Sequence, residues 1–110
     1  MHQIELGNDD VTVRFIIAEA NRTTLKLVLA RDAEIIRTAD YVSFGRDLTE
    51  AYEQLSGKAQ LQNESGRTIL TIAFNRGRVD VSIAWGQGET TFATDQSYLT
   101  KTLGQLGPFE

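Results

Sequence analysis

Hydrophobic and polar residues alternate with a period of two along most of this chain, and the pattern turns helical in two places. The alternation is clearest in the second half. There Val79, Val81, Ile83 and Trp85 are interleaved with Arg78, Asp80, Ser82 and Ala84, the mark of a strand with one face on a core and one in water. Just upstream Thr68, Leu70, Ile72 and Phe74 alternate likewise, and Asn75-Arg76-Gly77 reads as the tight turn of a hairpin. A further strand is expected over residues 88–94, beyond Gly86-Gln87-Gly88, and a shorter one over 59–63.

The first half repeats the period more weakly. A short strand fits residues 3–6, ended by Gly7-Asn8-Asp9-Asp10. Val11, Val13, Phe15 and Ile17 then share a face, and Leu25, Leu27 and Leu29 follow after the turn at Asn21-Arg22-Thr23. The β-branched and aromatic residues Ile35, Ile36, Thr38, Tyr41 and Val42 predict a charged edge strand over residues 33–44.

Two stretches have helical spacing. Asp47 and Glu50 form an Asp-x-x-Glu capping pattern, and Leu48, Ala51, Tyr52 and Leu55 follow on one stripe to a stop at Ser56-Gly57. This predicts a helix over residues 47–56. The second begins at a cap on Thr94 or Asp95, carries Tyr98, Leu99, Leu103 and Leu106 on one stripe, and ends at Gly107-Pro108. Gly104 inside it costs about 1 kcal/mol relative to Ala, so this helix depends on tertiary packing. The order is βββ-α-βββ(β)-α, which predicts an α+β fold: one antiparallel sheet of six to seven strands with two helices packed on it. The halves do not align well enough in sequence to argue a duplication.

Length and composition narrow the class. The 110 residues suit a single domain, residues 1–110, with 41% hydrophobic and 24% charged side chains, so a folded core is expected. The formal charge is −4. That balance speaks against gripping a phosphate backbone, which draws on clustered Lys and Arg, and favours a basic protein partner. With no cysteine, disulfides and thiolate chemistry are excluded. The N-terminal Met-His-Gln-Ile-Glu-Leu has no signal-like pattern, and no apolar stretch is longer than residues 15–18. Crossing a bilayer takes about 20 such residues. The expected setting is cytoplasmic, with no membrane and no nucleic acid among the partners.

Candidate chemistry is sparse. His2, the sole histidine, sits at the terminus, where no second group is placed to orient it as a base or ligand. Asp9-Asp10 lacks the ligand spacing of a calcium loop and reads as a polar turn. Gly86-Gln87-Gly88 lacks the third glycine and the following helix of a phosphate-binding loop. Arg76-Gly77-Arg78 is a small basic spot offset by Asp80, and Trp85 closes the inward face of its strand. Phe44 and Tyr52 read as packing, while Tyr41 fits either a surface or an edge. No catalytic residues, metal or cofactor are expected, and the chain does not read as an enzyme.

The stretches SFGRDLTEAYEQLSG, KAQLQ, TILTIAFNRGRVDVSIAW and TFATDQSYLTKTLGQL carry a resemblance across residues 40–106. Together they resemble the WapI-type immunity proteins of bacterial polymorphic toxin systems, above all in Asp95-Gln96-Ser97-Tyr98-Leu99 at the start of the last helix. The resemblance implies a protein that binds a cognate toxin domain and neutralises it by stoichiometric occlusion. It brings no catalytic residues. Charge steering toward a basic toxin would fall to Asp9, Asp10, Glu50, Glu53 and Glu64 or a subset of them. The alternative is another non-catalytic binding module, an effector chaperone or adaptor or a small-ligand-binding domain.

Overall fold

A computed structural model describes residues 2–76, 78–86 and 88–106 of the chain, with the side chain of His2 excepted. The expected helix stop at Gly107-Pro108, the expected solvation of His2, and the turn positions Gly77 and Gln87 lie outside the described residues. The elements run β1 (His2–Gly7), β2 (Thr12–Ala20), β3 (Thr24–Leu29), β4 (Asp32–Arg37) and α1 (Thr38–Gln54). They continue with β5 (Ser56–Gln62), β6 (Thr68–Asn75), β7 (Arg78–Trp85), β8 (Gly88–Asp95) and α2 (Gln96–Leu106).

The α+β class is as expected, but the sheet is not single. Two four-stranded antiparallel meanders form, ordered β1-β2-β3-β4 and β5-β6-β7-β8. The physical reason is α1, which separates β4 from β5 and packs along β5. The expectation of one six-to-seven-stranded sheet is thereby corrected to two sheets of four. At one corner Gly7, at the end of β1, accepts a hydrogen bond from the hydroxyl of Thr94 in β8 at 2.7 Å. At another, Asp32 at the start of β4 accepts one from Trp85 Nε1, at the turn end of β7, at 3.0 Å. Neighbouring ends of β1 and β4 thus reach opposite ends of the β7–β8 hairpin, and the first sheet lies across the second.

Helix α1 is the second correction. It begins at Thr38, so residues 38–44 are helix rather than strand, and Asp47 lies mid-helix rather than at a cap. Arg37 is the extended residue at the start, and Asp40 in the first turn pairs with it at 3.2 Å. The β-branched residues of this stretch misled because burial outweighs propensity. Tyr41, Phe44, Leu48 and Ala51 all face the core at helical spacing. The stop also shifts: Leu55, at φ 56°, takes the left-handed position and donates its N–H to Ala51 O. Val11, expected inward, lies before β2 and is 38% exposed.

One core joins both sheets and both helices. Ile4, Leu6, Phe15, Leu25, Leu27 and Ile36 come from the first sheet, and Ala59, Leu61, Leu70, Ile72, Val81 and Trp85 from the second. The Phe15 and Trp85 rings meet at 5.0 Å with 57° between planes, a tilted aromatic contact. In β6 the pairing skips from Leu61↔Leu70 to Gln62↔Thr68, and this bulge buries both Ile69 and Leu70. The hairpins at 75–78 and 85–88 each have a two-residue turn, with Arg76 and Gly86 at positive φ.

Candidate partner-binding surface

The five carboxylates singled out by sequence stand at three places. Asp9 and Asp10 occupy the β1–β2 turn, which Asn8 shapes: its Oδ1 accepts the N–H of Asp10 at 2.8 Å and of Val11 at 2.9 Å. Asn8 Nδ2 then donates to Ala93 O at 2.7 Å, tying the turn to β8. The Tyr98 hydroxyl donates to Asp9. Asp95 accepts the Ser97 N–H at 2.9 Å and caps α2. Its carboxyl is held below the ordinary range, chiefly by the Ser97 hydroxyl. Of the two sequence candidates for the cap, Asp95 fills the role, while the Thr94 hydroxyl goes to Gly7.

Glu50 and Glu53 project from α1 beside a groove of about 430 Å³ between the helices. Val42, Gly45, Arg46, Thr49, Glu50 and Glu53 line one wall, and Leu103 and Leu106 of α2 line the other. The helices are bridged nearby by the hydroxyls of Tyr52 and Thr100, 2.8 Å apart. Glu64 sits in the β5–β6 turn, where its N–H donates to Ile35 O of β4 at 2.8 Å. So Asp9 and Asp10 share one anionic corner with Asp95, Glu50 and Glu53 share one helical wall, and Glu64 stands apart. All five are exposed, and among the described residues none of them forms an ion pair.

Sequence reasoning passed over Glu5. Its carboxylate lies 3.0 Å from Lys101 Nζ and 3.4 Å from Arg14, and Gln105 Nε2 donates to it at 3.1 Å. The Lys101 hydrogen bond, then that of Gln105, holds its carboxyl below the ordinary value of 4.5. Gln105 Oε1 also accepts the Glu5 N–H at 2.6 Å, and Thr102 donates to Glu5 O at 2.6 Å. These contacts fasten α2 along the edge of β1. No local pattern marks Glu5; its partners on α2 lie about a hundred positions away along the chain.

The space enclosed by Phe15, Tyr41, Phe44 and Trp85 is about 10 Å³, room for one water. Tyr41, open between surface and edge by sequence, is buried here, and burial pushes its phenol up to about 12. Arg78 pairs with Asp80 at 2.9 Å, so the basic hairpin spot is partly neutralised. Among the described residues no three His, Cys, Asp or Glu side chains converge to hold a metal ion. No described helix is long and apolar enough to cross a membrane. In comparisons with known proteins, no family model, no curated protein and no solved structure matches this chain.

Proposed function

We propose that this chain is an immunity-type protein that binds a cognate toxin domain and neutralises it by stoichiometric occlusion. The observation that carries this reading is the set of exposed carboxylates at Asp9, Asp10, Glu50, Glu53 and Glu64, none of them paired with a cation among the described residues. These carboxylates belong to a chain of net charge −4, and a net acidic surface draws in a basic partner and speeds encounter. The resemblance of residues 40–106 to WapI-type immunity proteins supports the same reading. A small-ligand-binding role gains no support from the interior, whose enclosed space is about 10 Å³.

The test is co-expression with the C-terminal domain encoded by the open reading frame immediately upstream. Rescue of growth together with a 1:1 complex on size exclusion is the expected result. A toxic neighbour that this chain neither binds nor neutralises would end the proposal.

A further inference from the structure

We infer that the α1–α2 groove is where the toxin docks, and that it receives a basic amphipathic segment of that protein. This rests on the immunity reading and adds the surface and the chemistry. Positions 42, 45, 46, 49, 50 and 53 fall on one stripe of α1, about 16 Å long at 1.5 Å per residue. The stripe is apolar at its base and charged at its lip. Val42 and Leu103 are half-buried and Leu106 is buried, giving an apolar floor. Gly45, with no side chain, keeps the wall low midway along it.

Above that floor Glu50 and Glu53 are exposed and one turn apart, with no cation on either among the described residues. Arg46 at the same lip forms no ion pair among the described residues either. A complementary segment seats an apolar side chain on Leu103 and Val42 and presents two basic groups to Glu50 and Glu53. An acid placed one turn from that basic pair meets Arg46 and sets the direction of docking. The corner at Asp9, Asp10 and Asp95 is a poorer anchor. Asp9 is engaged by Tyr98 and Asp95 by Ser97 and the helix start, and the corner offers no aliphatic side chain larger than Ala93 beside the ring of Tyr98. The corner can steer encounter, whereas the groove has the buried apolar ground on which a complex is retained.

The experiment uses the full chain and the toxin domain from the upstream reading frame. Wild type, E50K/E53K and D9K/D10K are compared for growth protection and by surface plasmon resonance, after thermal melts show each variant folded. The expected result is loss of protection in E50K/E53K, with association slowed about tenfold or more. D9K/D10K slows association but keeps a wild-type dissociation rate, and Leu103→Gln speeds dissociation. If E50K/E53K protects and binds as wild type does, the groove assignment fails while the immunity reading stands. If sedimentation shows a wild-type dimer that E50K/E53K breaks, the groove is an interface between two copies and the assignment also fails. If wild type itself does not protect, the immunity reading falls and takes the groove with it.

Discussion

At the scale of single residues, the two tyrosines shifted upward reach the same value by different routes. Tyr41 is pushed up to about 12 by burial. Tyr98 is raised to about 12 by its hydrogen bond to Asp9, then by desolvation and the negative charges of Asp9, Asp95 and Asp10. An unfolded tyrosine titrates near 10. The folded chain therefore binds these phenolic protons more tightly, so their contribution is complete below pH 10 and is lost as pH rises through 12. Titration followed at the tyrosinate absorbance should show two groups ionising near pH 12 together with loss of stability. Asp9→Asn should bring one of them down and leave the other. If Tyr98 ionises near pH 10 in the wild type, this account of the Asp9–Tyr98 pair is wrong. Tyr98 was legible as a member of a helical stripe; its bond to Asp9 spans 89 positions and had no local trace.

At the scale of elements, α2 stands on its contacts with β1 more than on its own propensity. Its short stripe is weakened by Gly104, where an added Cβ would meet nothing within 4 Å. Gly104→Ala should therefore raise stability by about 1 kcal/mol in urea unfolding. An unchanged midpoint would mean that this turn is not helical in the folded protein. The clamp itself is Thr102, 1% exposed, with its hydroxyl on Glu5 O. Thr102→Val keeps the shape and removes the donor, at a cost of about 1–3 kcal/mol. Hydrogen exchange should then accelerate in β1 before it does in β6 or β7; uniform acceleration would deny the clamp. Because the Glu5 carboxyl is held low by Lys101 and Gln105, its contribution is present above the unfolded value and fades as pH falls through the folded one. In α1 the spacing of Tyr41, Phe44, Leu48 and Ala51 was present in the sequence, but the β-formers Ile35, Ile36 and Val42 masked it.

At the scale of the whole molecule, the chain runs twice through four strands and a helix. Each helix packs along the first strand of the other sheet, α1 on β5 and α2 on β1. Neither half covers its own first strand, so the two share one core and one fate on unfolding. The same packing meets two of the outer strands. The outer side of β1 is closed by Thr102, Gln105 and Thr94, and β4 is met by Trp85 and Glu64. The repeat was not legible because the two runs share an order of elements, not residues or lengths: α1 has 17 residues and α2 has 11. The acidic surface follows the same logic. Composition announced the excess charge, but the packing of α2 across β1 and against α1 placed Asp9 and Asp10 at one end of that helix and Glu50 and Glu53 near the other.

By itself the sequence determined the class, the hairpins over 67–94, a capped start of α2 at Thr94 or Asp95 and the inward faces of β3, β6 and β7. Those features depend on neighbours within a few positions, where period, turn chemistry and capping act. Tertiary structure alone decided that there are two sheets, that residues 38–44 coil into helix, and that Glu5 anchors α2. It also decided which carboxylates share a groove. Each of these depends on groups far apart along the chain, whose burial and hydrogen bonding together outweigh the local preference of any one residue.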